Sequence, residues 1–244
     1  MNPRVTLATA RRILDQLKHD KRTIALIVVV PTLLMTLLRY VFDDAGAFDR
    51  IGPMLLGIFP FVIMFLVTSI GTLRERTGGT LERLMTTPLG KLDLLLGYAI
   101  AFGLTALAQV GLILAFSLTV LGLDVNGPIW GLVAVALLDA LLGVALGLLG
   151  SAFAKTEFQA VQLLPLVVLP QLLLCGLFAP RDSMQTVLDR TSDFMPLSYA
   201  VDAMRELTTR SGVSGDLAAD MLIIAGCGVA ALVLGAATLP RRTP

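Results

Sequence analysis

The chain has 244 residues and a formal net charge of +1. Apolar residues make up 56%, charged residues only 15%, and mean hydropathy is +0.83, against about 45–50% and about 25% in soluble domains. A soluble fold of this size cannot hide that much apolar surface, which excludes a soluble domain, a disordered chain, a disulfide scaffold and a collagen-like rod, and points to an all-α integral membrane protein.

Residues 2–20 come first. Asn2 can cap a helix and Pro3 suits its first position. Thr6, Ala10, Ile13, Leu14 and Leu17 recur at helical spacing, with Arg11, Arg12, Asp15 and Lys18 on other faces. The pattern predicts an amphipathic basic helix suited to the inner-leaflet interface; the competing reading is a basic tail that only sets topology. An h-region and a small-residue cleavage site are both lacking, so no signal peptide is expected. Six stretches then have the length and apolarity of spans: Ile24–Phe42, Ile51–Leu73, Leu94–Leu123, Ile129–Ala154, Phe158–Ala179 and Leu217–Leu239. The third is long for a straight span and implies tilt or an extension beyond the membrane. The polar break Lys155-Thr156-Glu157 separates the fourth from the fifth.

Basic residues in short loops set orientation. With the amino terminus inside, thirteen Lys and Arg fall inside and five outside, Arg39 apart. Both termini are therefore expected in the cytoplasm, across a plasma (inner) membrane. Two polar segments exceed simple connections. Arg74–Asp93 is a long cytoplasmic loop in which Gly78-Gly79 breaks the preceding helix. Thr80 can cap a short helix from Leu81 to about Thr86, and Pro88 stops it. Leu81, Leu84 and Met85 form an apolar knob beside Glu82 and Arg83, which suits docking of a soluble partner. On the outside, Pro180–Asp216 predicts two short amphipathic helices broken at Pro196. One face carries Leu197, Ala200, Val201, Met204, Leu207 and Thr208.

Several motifs share this order. Glu75-Arg76-Thr77-Gly78-Gly79-Thr80-Leu81-Glu82-Arg83-Leu84, followed by Thr87-Pro88, resembles an ERxxGTLExL…TP signature. Ala154-Lys155-Thr156-Glu157-Phe158-Gln159-Ala160 is similar to an AKTexqA turn, and Gly176–Pro180 to a GxffP end of span five. Pro196–Arg205 is similar to an NPLtyavealR segment, with Met195 where Asn is usual. Together these resemble the ABC-2 type family of ABC exporter permeases over nearly the whole chain. The resemblance implies one transmembrane domain, 1–244, that pairs with a cytoplasmic ATP-binding subunit and with a second permease copy or homologue. It implies ATPase coupling through Glu75, Gly79, Thr80, Leu81, Glu82, Arg83, Leu84 and Pro88. The interfacial helix, with Arg11, Arg12, Leu14 and Lys18, adds to the contact, and a re-entrant helical segment lies between spans five and six. The chain has no GxxxxGK[ST] phosphate loop, so it is expected to bind no cofactor, with ATP and Mg held by the partner. No nucleic-acid partner is expected.

Within the spans, Asp139 is the deep carboxylate. It is expected to pair with a polar group on a neighbouring helix, the alternative being a proton or cation site. Gln109, Gln162 and Gln171 can bridge helices or line a path, and Arg39 is expected to snorkel outward. Pro31, Pro60, Pro165 and Pro170 permit kinks, while Gly143 and Gly147 permit close helix approach. Cys175 and Cys227 lie in apolar runs, and with one histidine, His19, no metal spacing arises. The sequence thus predicts export of amphipathic or hydrophobic cargo: a drug, antibiotic or lipid. The alternatives are a polysaccharide or glycolipid exporter, an ion-coupled secondary transporter, a membrane enzyme and a non-transporting subunit of an ABC complex.

Overall fold

Apolar runs in lipid must satisfy their backbone internally, and here they do so as helices. The computed structural model describes residues 3–42, 45–78, 91–210 and 214–238. Their helices are α1 (Pro3–His19), α2 (Lys21–Val41), α3 (Ala45–Thr77), α4 (Lys91–Thr119), α5 (Ile129–Gly150), α6 (Glu157–Leu174), α7 (Thr186–Ser192), α8 (Pro196–Thr209) and α9 (Gly215–Thr238). A single 3-10 turn, Arg181–Ser183, precedes α7. Helices α2, α3, α4, α5, α6 and α9 are each long and apolar enough to cross a membrane.

Local chemistry sets the boundaries. Asp20 caps α2: its carboxylate accepts from the N–H groups of Arg22 and Thr23 at 3.1 and 3.2 Å and from the Thr23 hydroxyl at 2.7 Å. The Thr23 hydroxyl bond holds the Asp20 carboxyl below its ordinary range against the opposing effect of burial, and the two N–H groups and the Arg74 charge add to it. Helix α3 is much longer than the expected 51–73. Arg74, Glu75 and Arg76 stay helical because partners on other helices meet them, and the turn at Gly78 closes with its N–H on Arg74 O at 2.9 Å. The joint between α5 and α6 spans Ser151 to Thr156, whose hydroxyl caps α6 by accepting from Gln159 N at 3.2 Å. Helix α6 stops at Leu174 rather than Ala179. Two residues on, Gly176 takes φ +86°, a left-handed backbone suited to glycine.

The packing is centred on α3 and α5. Of their most apolar stretches, 72% and 61% of residues are buried, against 39% in α4 and 17% in each of α2, α6 and α9. Glycine lets the central pair approach. A Cβ at Gly143 would lie 2.3 Å from Phe61 O, and one at Gly147 would lie 2.6 Å from Phe65 O. Phe61, Phe65, Met64 and Leu142 close the surrounding core. The outer helices leave Val29, Leu33 and Leu37 of α2 and Leu222, Val229 and Val233 of α9 exposed. Such stripes suit a lipid solvent rather than water. The long helices alternate in direction. One end of the bundle gathers α1, the start of α4 and α6 and the end of α3; the other carries α7 and α8.

Candidate functional site

The end of α3 becomes a polar junction at the α1 end of the bundle. Arg12 of α1 grips Glu75 with two parallel bonds, Nη1 to Oε1 and Nη2 to Oε2, both 2.8 Å. Bidentate geometry of this kind is strong and orientation-specific. The Tyr98 hydroxyl of α4 donates to Glu75 Oε2. With its amide turned to satisfy the network, Gln16 donates to Glu75 Oε1 at 2.9 Å and accepts from Arg12 Nη1 at 3.3 Å. Burial works against the Arg12 charge, but hydrogen bonding and the charge of Glu75 outweigh it and raise its pKa above the ordinary value. Three helices therefore meet on one carboxylate that is 8% exposed.

Neighbouring contacts brace the same level. Arg74 donates to Glu157 of α6 at 2.7 and 3.1 Å and to Asp20 at 3.2 Å. Arg76 reaches Ser151 O at 3.3 Å. Thr6 donates to Asp93 at 3.3 Å. A Cβ at Gly97 of α4 would meet Thr9 Cβ of α1 at 2.8 Å, so the glycine allows α1 to seat. Thr6, Thr9, Ala10 and Ile13 are buried, Leu14 packs on the core, Arg11 and Lys18 are exposed, and Arg12 is spent on Glu75.

Glu75 was expected in a loop; it stands on a helix, because Arg12 and Tyr98 offset the cost of keeping its charge there. Gly79, Thr80, Leu81, Glu82, Arg83, Leu84 and Pro88 lie outside the described residues. Sequence reading missed Tyr98 and Gln16. A tyrosine inside an apolar run was the available signal, since a buried hydroxyl needs a partner.

The intramembrane candidates separate. Pro31 and Pro60 are buried inside continuous helices, whereas Gln162 is on the exposed face of α6. Gln171 turns back to its own helix, donating to Val167 O at 2.9 Å. Gln109 bridges α4 to α2 through Ile27 O at 3.2 Å. Arg39 does not simply snorkel: its Nε donates to Leu121 O at 3.2 Å and its guanidinium lies 5.7 Å from the Phe48 ring centroid. Asp139 is fully enclosed, facing α3 and α8; a Cβ at Gly57 would lie 3.7 Å from its Oδ2 and 3.5 Å from Met204 Cε. The expected pairing is not formed: neither oxygen has a hydrogen-bond partner among the described residues. The reason is geometric, since glycine and apolar side chains line that face. An unsatisfied buried group costs about 1–3 kcal/mol. Asp139→Leu, which places methyls where the oxygens were, should therefore raise the thermal stability of the purified protein, with Asp139→Asn close to the parent. A fall in melting temperature with Leu but not Asn would show that another chain supplies a partner.

At the opposite end, Arg181 pairs with Asp202 at 2.8 Å and with Asp193. Arg205 donates to Gly176 O at 2.6 Å. Leu197, Ala200, Val201, Met204, Leu207 and Thr208 of α8 are buried against the spans, as their spacing predicts.

Six helices long and apolar enough to cross a membrane, a seated amino-terminal helix and a helical segment folded onto the far end define a multi-pass, all-helical membrane domain. The family model for the ABC-2 type transporter matches residues 4–208, and the chain belongs to that family. It is 28% identical over 193 residues to the Escherichia coli protein named "Probable multidrug ABC transporter permease YbhS", covering 78% of this chain and 51% of that one. It is 25% identical over 180 residues to "Linearmycin resistance permease protein LnrN" of Bacillus subtilis, covering 70% and 46%. It is also 22% identical over 206 residues to "ABC transporter G family member 20" of Dictyostelium discoideum, covering 84% and 28%. The chain spans about half the length of the bacterial relatives and less of the last.

Proposed function

We propose that this chain is the permease subunit of an ATP-driven exporter that moves amphipathic or hydrophobic cargo outward. The observation that carries the reading is the Arg12–Glu75–Tyr98 junction inside a family match covering residues 4–208. It stands at the base of residues 79–90, where a soluble partner would dock. A push on that segment reaches α3 and α4 directly, and α1 through Glu75. The partner is a cytoplasmic ATP-binding subunit that holds ATP and Mg, and a second permease completes the dimer. The names of YbhS and LnrN, a multidrug and an antibiotic-resistance permease, support drug-like cargo, as do spans with few charges.

The test is a Glu82→Ala/Leu84→Ala variant co-expressed with the ATP-binding subunit. Co-purification, or the dependence of export on ATP, should fall while membrane insertion persists. Unchanged assembly and unchanged coupling would refute the role.

The basic bias supports an orientation with the α1 end, and both termini, in the cytoplasm. A cysteine at the exposed Arg190 of α7, in a background without Cys175 and Cys227, should then react with an impermeant thiol reagent on intact cells. Thr186→Cys, exposed at the start of the same helix, serves as the second position, whereas Ser192 is buried and is not used. Labelling of both only after lysis would reverse the orientation.

A further inference from the structure

A cleft of about 410 Å³ opens at the α1 end between α1, α2, α3 and α4. It lies in the size range of ligand pockets, about 300–1,000 Å³. Its mouth is polar and charged, with Gln16, Asp20, Arg22 and Arg74. Its inner wall is apolar, with Leu26, Leu66, Ile70 and Phe102. Leu66 and Ile70 stay partly exposed there, as does Leu26.

We propose that this cleft binds one anionic phospholipid of the surrounding membrane, headgroup at Arg22 and one acyl chain along α3. Three features choose that occupant. The first is the order of chemistry along the helices. Arg74 stands two turns beyond Leu66, about 12 Å at 1.5 Å per residue, and Arg22 stands one turn before Leu26. Charge and apolar wall are thus stacked along the span direction, as in a lipid and unlike a compact polar metabolite.

The second is charge. Asp20 and Glu75 are already engaged by Arg74 and Arg12. Lys18, Lys21 and Arg22, on the α1–α2 joint, make no ion pair among the described residues. Arg74 is shared by Asp20 and Glu157, so the lining cation without an ion pair among the described residues is Arg22, with Lys18 and Lys21 close by in sequence. The third is position: the cleft sits where the apolar stretches of α2 and α3 give way to charged residues, so its mouth is level with lipid headgroups. The proposal rests on the spans alone and not on the transport reading. An anionic lipid here would wedge α1 against the Glu75 junction.

The experiment uses the purified full chain in mixed micelles with photoactivatable phosphatidylglycerol or phosphatidylcholine, the crosslinker in the acyl chain, and maps the labelled peptides. Phosphatidylglycerol should label residues 66–74 and 22–26 in preference to phosphatidylcholine. One basic residue near a membrane surface is worth about fivefold in binding, so Arg22→Gln, at an exposed position that leaves the core alone, should cut the preference by about that factor. Ile70→Trp should block labelling of α3 while leaving that of the exposed Leu173 region of α6 unchanged. Equal labelling by the two lipids, or a preference untouched by Arg22→Gln, would overturn the proposal. So would phosphatidylglycerol labelling of α3 that survives in a folded Ile70→Trp protein.

Discussion

Gly143→Ala is expected to abolish accumulation of folded protein. The added Cβ would sit 2.3 Å from the Phe61 carbonyl oxygen and 3.1 Å from its carbon. Neither atom belongs to a flexible side chain, so relief requires α3 and α5 to separate, and those are the two most buried spans. The cost should be about 3 kcal/mol or more, at the severe end for one substitution. Gly111→Ala is the matched control, since nothing lies within 4 Å of its new Cβ. On an open helical face alanine is favoured over glycine by about 0.5–1 kcal/mol. The pair therefore moves in opposite directions. Fluorescence-detected size exclusion and melting in detergent would read both. A Gly143→Ala protein as stable as Gly111→Ala would mean that the two central helices do not meet backbone to backbone.

Glu75→Ala should release α1 and break transmission to the segment that follows α3. It removes both bonds to Arg12 and the acceptor of Tyr98. Severing a buried ion pair costs about 3–5 kcal/mol; Arg12 is 29% exposed in its side chain and can turn toward water, so about 2 kcal/mol is expected here. Hydrogen exchange of α1 should accelerate by about tenfold or more, with the amides of α5 unaffected. Glu75→Gln keeps the shape and an acceptor for Tyr98 and should fall between. With the ATP-binding subunit present, Glu75→Ala should retain ATP hydrolysis and lose most export. Unchanged exchange of α1 in Glu75→Ala would remove the junction from the mechanism.

The spans were legible because a run of apolar residues in lipid has one outcome, and Pro196 marked the start of α8 through its missing N–H. Gly143 and Gly147 announced a close approach, but not its partner: which carbonyl fills a glycine notch is settled by tertiary packing. The end of α3 was misjudged for a related reason. Arg74, Glu75 and Arg76 look like the start of a loop to any measure of hydropathy. Their partners Glu157, Arg12 and the Ser151 carbonyl lie 83, 63 and 75 residues away, beyond any local pattern. Asp139 erred the other way. A lone intramembrane carboxylate argued for a partner, yet the face it meets is Gly57 and Met204.

The length of α3 has a mechanical consequence. Its 33 residues give about 50 Å of helix measured along its axis at 1.5 Å per residue, against a hydrocarbon core of about 30 Å. Gripped near its middle at Phe61 and Phe65 by α5, it has a fulcrum with an arm on either side. About 15–25 Å of helix separates that fulcrum from Glu75, and a similar arm runs toward Phe48 and the far end. Small tilts about the glycine contact would carry the two tips in opposite directions by comparable distances. A pull at one face of the membrane would thereby arrive at the other as a push.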